Sequence, residues 1–288
     1  MNGNGVIPPG GAPGEPRSLT ASDGVELHYR FFAPAGAHRG NIVHLHGIQS
    51  HSGWYVETAA ELARRGYAVS LADRRGSGLS AGTRGDFASP DQLVDDVARI
   101  VELSKRDGGD RPTVLVGGCW GARPAVAYAS QSGNGLAALV LVCPALKAKV
   151  DLVPARKLQV FAGRGLRPGT RVPIPLTPEM FTDNPAYLEF VRNDPLSLHD
   201  VTARFFFTQF FWDRRILAQR SLDVPLLLLQ SGRDPVVDVG AVRSWYDSLV
   251  SPRKEYVLYD DFDHILDFDR ERARYRDDLG AWLDRTTA

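Results

Sequence analysis

The chain has 288 residues, 43% of them hydrophobic, enough for one large core with an elaboration and against two independent domains. Lys plus Arg and Asp plus Glu each number 34, a formal net charge of zero that gives no global attraction to nucleic acid or to an anionic membrane. The only cysteines, Cys119 and Cys143, each close an apolar, strand-like run, which argues against a disulfide scaffold and for a reducing, cytoplasmic setting.

The chain opens on MNGNGVIPPGGAPGEPRS, rich in Gly and Pro, with neither a basic start nor an apolar stretch of signal-peptide length. Residues 1–18 are therefore expected to be a flexible tail. Short apolar runs then recur with helical patterns between them: VELHYRFF, NIVHLHG, YAVSLAD, TVLVGG, ALVLVC, PLLLLQSG and EYVLYD. Strands alternating with helices predict an α/β fold, a mostly parallel sheet covered on both faces. Trp54 to Arg65 has apolar residues at helical spacing and stops at Gly66, and Ser89-Pro90 opens the next helix. No window approaches the ~18 continuous apolar residues of a membrane span.

One long interruption, residues 144–222, divides the core into 19–143 and 223–288. An insertion at this point sits at the carboxyl ends of the strands, where open α/β sheets bind ligands, and is expected to be a helical cap. Its aromatic run, Phe205, Phe206, Phe207, Phe210, Phe211 and Trp212, is expected chiefly to pack the cap onto the body. Phe206 and Phe210 are the candidates for an acyl pocket, together with Gln49 and Trp54 of an earlier loop.

The chemistry concentrates in VLVGGCWGARPAVAYA, residues 114–129, where Gly117, Cys119 and Gly121 fill the GxSxG frame of the sharp strand-to-helix turn that exposes a nucleophile. Sulfur stands where the frame has oxygen, at a helix N-terminus that favours a thiolate. Cys143, at the end of the next strand, reads as core packing. Asp234, in a turn just past LLLLQSG, has the place of an orienting acid, with Asp238 as its rival. His264 is the only histidine after Asp234 and falls between the final strand and the last helix. The N–H groups of Trp120 and Ile48 are the expected oxyanion donors. His44, His46 and His51 lack a nearby carboxylate or cysteine cluster, so no metal is expected, and GRGLRPG at 163–169 has the wrong glycine spacing for a dinucleotide loop. No cofactor is called for.

With these residues in hand, the chain resembles the monoacylglycerol lipase and lysophospholipase branch of the α/β-hydrolase superfamily. HGIQSHSGWY is similar to that family's oxyanion segment, ADRRGSGLSAGTRGD to its arginine-glycine loop, and FTDNPAYLEFVRNDPLSLHDVTAR to its cap. SGRDPVVD and DHILDFDRERARYRDDLGAWL resemble its acid turn and its histidine followed by a terminal helix. The resemblance implies the roles of nucleophile, acid and base for Cys119, Asp234 and His264. Two departures, Cys119 for serine and Gln49 for a small residue, move the expectation from simple lipase action toward acyl transfer or a specialised hydrolysis through a thioester.

Between residues 147 and 171, Lys147, Lys149, Arg156, Lys157, Arg164, Arg167 and Arg171 are opposed only by Asp151. Beside the plain reading of a solvated face stands a sharper one, docking of an anionic acyl donor or acceptor such as a coenzyme A or carrier-protein thioester. The rival to the whole enzymatic reading is a non-catalytic protein of this fold that binds a small hydrophobic ligand.

Overall fold

In the computed structural model, residues 7–9, 11–131 and 133–287 are described, the side chains of 164–166 excepted. Eight strands form one sheet: β1 (Glu15–Thr20), β2 (Glu26–Phe32), β3 (Gly40–Leu45), β4 (Tyr67–Ala72), β5 (Thr113–Gly118), β6 (Ala138–Val142), β9 (Leu226–Ser231) and β10 (Lys254–Tyr259). Their spatial order is β1-β2-β4-β3-β5-β6-β9-β10, parallel from β4 onward, with β1 and β2 antiparallel at one edge. Every residue of β3, β5, β6 and β9 is buried, which is why these strands read as unbroken apolar runs rather than alternating ones.

The helices begin and end where local chemistry directs. In α2 (Pro90–Gly108) the Ser89 side chain accepts from Gln92 N and Pro90 opens the first turn. This helix packs with α3 (Ala122–Ala129) against the sheet, while α1 (Val56–Arg64) packs on β4 and meets α8 (Arg272–Thr286).

One expectation is corrected here. Residues 15–18 are not tail: they belong to β1, which pairs in register with β2 from Glu15↔Phe31 to Thr20↔Glu26. An edge strand needs no apolar run, and EPRSLT alternates exposed and half-buried positions with only Leu19 packed on the core. Residues 1–6 and 10 of the expected tail lie outside the described residues.

Between β6 and β9 the chain leaves the sheet and forms α4 (Pro154–Leu166), β7 (Arg171–Pro173), α5 (Pro185–Asn193), β8 (Asp200–Thr202) and α6 (Ala203–Leu217), before returning to β9, then α7 (Val239–Ser248) and β10. α4 packs on α6, and β7 pairs antiparallel with β8. Two buried carboxylates bind this insertion to the body. Asp194 accepts from His51 Nε2 (2.9 Å), Trp54 Nε1 (2.7 Å) and Ser197 Oγ (2.9 Å). Asp86 accepts from Thr202 Oγ1 (2.6 Å) and pairs with Arg204.

Candidate active site

The strand β5 delivers Cys119 into a left-handed backbone conformation, φ 49°, which an L-residue adopts only where its surroundings over-determine it. The flanking glycines explain how. A Cβ on Gly117 would come within 2.8 Å of both Ala122 Cα and Ala125 Cβ, and one on Gly121 would run into the Leu45 carbonyl. With bulk forbidden on both sides, the chain turns sharply from strand to helix and the sulfur is held at the tip. On the facing loop after β3, a Cβ on Gly47 would meet Cys119 Cβ at 3.2 Å and Sγ at 3.4 Å, so this loop lies directly against the thiol.

That loop is positioned by a residue whose role sequence reasoning missed. Arg74 donates from Nη1 to Gly47 O and from Nη2 to Ile48 O, both at 3.1 Å, and its guanidinium lies 4.6 Å from the Trp120 ring centroid. Burial pulls Arg74 down to about 9, still cationic at neutral pH. The Gly47 carbonyl belongs to the same peptide as the Ile48 N–H and the Ile48 carbonyl to the next one, so the guanidinium fixes the orientation of that N–H. Arg74 does lie within the arginine-glycine loop noted above, but bonds to backbone carbonyls leave no residue pattern of their own.

His264 and Asp234 are brought together from separate turns. His264 Nδ1 lies 2.8 Å from Asp234 Oδ2, both side chains wholly buried. Asp234 is fixed in turn: Oδ1 accepts from the N–H groups of Val236 and Val237, each 2.9 Å, and Oδ2 from Gln230 Nε2 at 3.2 Å. Asp238 is elsewhere engaged, as the cap of α7, accepting from Ala241 N at 2.9 Å. The other histidine nitrogen, Nε2, has no partner of good hydrogen-bond geometry among the described residues but interacts with the Cys119 thiol, a looseness common before substrate tightens such a contact.

Electrostatics separates the two cysteines. Burial alone would raise the Cys119 thiol, yet the charge of His264, the contact with it and the Trp120 N–H outweigh burial and hold it below the ordinary range. Burial likewise opposes a charge on His264, but Asp234 and the Cys119 sulfur push it up to about 10. Cys143 sits at the next position of the neighbouring strand, since Gly118 pairs with Val142, and also has a left-handed φ, 42°. Burial and the nearby Asp234 charge raise its thiol well above the usual range. Cys143, Asp234 and His264 place donor atoms within 4.8 Å of one another, with the His264 Nδ1 and Asp234 Oδ2 members of that group bonded to each other.

The three earlier histidines are engaged in structure. His46 bonds to Gly47 O (2.8 Å) and Arg74 N (3.0 Å), His51 to Asp194, and His44 packs on Tyr55; burial pulls both His44 and His46 down to about 3, leaving them neutral.

A cavity of about 310 Å³ opens onto Cys119, lined by Ile48, Trp120, Val160, Phe161, Phe206, Phe207 and Phe210 among others. Phe206 and Phe210 thus line the cavity that opens onto Cys119. Two other expected substrate contacts do not. Trp54 is 1% exposed, donates to Asp194 and packs against Phe181, Phe190 and Phe268, an anchor in the core rather than a pocket wall. Gln49 is absent from the cavity wall; its carbonyl accepts from Leu198 N and its side chain reaches Leu176 O, tying the loop to the insertion.

An eight-stranded, mostly parallel sheet with helices on both faces, its central strand ending in a strained turn at the site, is the α/β-hydrolase fold. Residues 36–271 match the family described as "Serine aminopeptidase, S33", and the chain belongs to that family. It is 27% identical over 241 residues to phospholipase YtpA of Bacillus subtilis, covering 80% of this chain and 90% of that one. It is 27% identical over 253 residues to human monoglyceride lipase, covering 86% and 82%. Among solved structures it is similar in fold to monoacylglycerol lipase of Paleococcus ferrophilus (TM-score 0.80, 23% identity, 90% of this chain and 99% of that one). A soluble variant of the Saccharomyces cerevisiae monoglyceride lipase gives a TM-score of 0.83 at 19% identity, covering 94% and 95%. The chain is an enzyme of the α/β-hydrolase, esterase/lipase type, in the monoglyceride lipase and lysophospholipase branch. No helix among the described residues is long and apolar enough to cross a membrane.

Proposed function

We propose that the enzyme acts on an ester or thioester of a lipid-like acyl group through a covalent acyl-thioester on Cys119, with His264 and Asp234 completing the triad. The observation that carries the reading is the strained, glycine-flanked position of Cys119 against His264, whose far nitrogen is held by Asp234. The named relatives, a phospholipase and monoglyceride lipases, support a lipid ester as substrate class.

The thiolate attacks the carbonyl carbon, and the electron pair moves onto oxygen, which the N–H groups of Ile48 and Trp120 receive. As the tetrahedral adduct collapses, protonated His264 gives its Nε2 proton to the departing alkoxide or thiolate. His264 then takes a proton from water or from an acceptor nucleophile, which attacks the thioester; the sulfur departs as thiolate and the pair is restored. Asp234 keeps the imidazole in the right tautomer and stabilises its charge without itself being protonated. No cofactor enters these steps. Sulfur favours transfer, because a thioester yields to amines and thiols more readily than an oxygen ester does.

The insertion of residues 144–222 serves as a cap, with α4 and α6 walling the acyl chamber. Its exposed Lys147, Lys149, Arg156 and Arg167 offer a docking face for an anionic acyl carrier such as coenzyme A or a carrier protein; the Arg164 side chain lies outside the described residues. Two buried free thiols suit a reducing, cytoplasmic setting.

Turnover of a panel of chromogenic acyl esters and thioesters tests the reading. Wild type is expected to turn over at least one, and Cys119→Ala to lose it by ~10³-fold or more. Turnover retained in Cys119→Ala overturns the assignment.

A further inference from the structure

The wall of the chamber that opens onto Cys119 carries a polar cluster that the proposed chemistry does not use. Arg123 stands one turn along α3 from Cys119 and is 2% exposed. Its Nε donates to Asp213 Oδ1 (2.5 Å) and its Nη2 to Asp213 Oδ2 (3.2 Å), a bidentate pair from the body to α6. The guanidinium lies 5.6 Å from the Trp120 ring centroid, and its remaining nitrogen, Nη1, is buried with no hydrogen-bond partner among the described residues. Gln209, one turn before Asp213 on α6, gives its Oε1 to the Trp120 indole N–H at 2.8 Å. Its amide nitrogen has no hydrogen bond among the described residues. Arg123, Gln209 and Asp213 all line the chamber that opens onto Cys119.

Resting on the acyl-enzyme reading above, we propose that Arg123 and Gln209 form a recognition point for a neutral oxygen carried on the acyl chain, a keto, hydroxyl or ether group, and that the enzyme selects oxygenated over plain alkyl acyl groups. A buried guanidinium nitrogen is not left idle cheaply, and both free groups here are donors, so the station calls for an acceptor. The charge balance says which kind. Asp213 already answers Arg123, and the other charged wall residues, Lys157 and Asp151, pair with each other. A carboxylate would bring a second negative charge beside Asp213, which already neutralises Arg123, whereas a neutral oxygen satisfies the donors and leaves the balance intact. Sites built to bond a substrate oxygen discriminate strongly against the analogue that lacks it, because their own polar groups are then stranded.

The test reads binding, so it does not depend on turnover. Wild type is titrated calorimetrically with N-ethyl octanamide and with a positional series of N-ethyl oxo-octanamides, amides that occupy the chamber without acylating sulfur. At one or two positions the oxo compound is expected to bind at least ~10-fold tighter than the plain amide. In Gln209→Glu, which keeps an acceptor for the Trp120 indole but removes the amide donor, that ratio should fall several-fold. In Arg123→Met/Asp213→Asn, which removes the guanidinium and its counter-charge together, it should collapse toward unity. No preference at any position in wild type, no binding of any member, or a preference intact in both variants overturns the proposal. Turnover retained in Cys119→Ala, with the preference intact, would instead count against the acyl-enzyme reading alone.

Discussion

Asp234 holds His264 through a 2.8 Å bond from Nδ1 to Oδ2, while the opposite edge of the same imidazole meets the Cys119 thiol. The coupling has a pH consequence. A thiol held below its ordinary value is already thiolate at pH values where free cysteine is not, and an imidazole pushed up to about 10 keeps its charge across that range. Alkylation of Cys119 by iodoacetamide should therefore reach its plateau below the free-thiol inflection near ~8.5. In His264→Ala, burial and the Asp234 charge are left opposed only by the Trp120 N–H, and the inflection should move above it. Cys143, raised by burial, should stay unlabelled in both. Peptide mapping after timed labelling across pH checks all three; a wild-type inflection at or above the free value contradicts the pairing.

The two aspartates of the acid turn differ in what they hold. Asp234→Asn should lower kcat by ~10³-fold or more with little loss of stability, since it presents a donor to His264 Nδ1 and disturbs its tautomer. Asp238→Ala should leave kcat within a few-fold and cost about 1 kcal/mol of stability through the lost α7 cap. Paired kinetics and thermal melts distinguish them, and a severe kinetic effect at Asp238 would reverse the assignment.

Arg74 acts through the loop it holds. Replacing it with Met removes both bonds to the Gly47 and Ile48 carbonyls and should cost ~10²-fold in kcat with a smaller change in KM, as expected when an oxyanion donor is misplaced. Equal loss in kcat and in thermal stability alone, with acylation rate unchanged in the folded fraction, would assign it a purely structural part.

Asp194 is a structural joint between insertion and body, and hydrogen bonds to it help hold its carboxyl below the usual range despite burial. Asp194→Ala strands His51, Trp54 and Ser197 together and should cost about 3 kcal/mol. Because the carboxylate is favoured in the folded state, its contribution is present at neutral pH and is lost as pH falls through the lowered value. Thermal melts of wild type and variant at pH 7 and pH 3 should converge on acidification; an unchanged gap contradicts this account.

The legible parts of the fold were those with a local cause. Apolar runs such as TVLVGG announced the central strands because parallel strands are buried on both faces, and Gly117 and Gly121 announced the turn because no side chain fits at either position. β1 escaped notice because an edge strand carries no such run. The choice between Asp234 and Asp238 rests on which carboxylate reaches His264, a distance across two loops that spacing cannot give. Arg74, Arg123 and Gln209 were equally hidden: their partners are backbone carbonyls or residues some thirty to ninety positions away. Trp54 was misread as a substrate contact because an aromatic beside the oxyanion loop looks the same in sequence whether it faces the chamber or, as here, Asp194 and the core.

The central claim is that Cys119 carries the acyl group. Wild type, mixed briefly with p-nitrophenyl octanoate, quenched in acid and weighed intact, should gain the mass of one octanoyl group, which peptide mapping locates on Cys119 and hydroxylamine removes as a thioester. His264→Ala should form it far more slowly, and Cys119→Ala not at all. An octanoyl group found on Cys143 or on an oxygen, or one that persists in Cys119→Ala, would contradict the account.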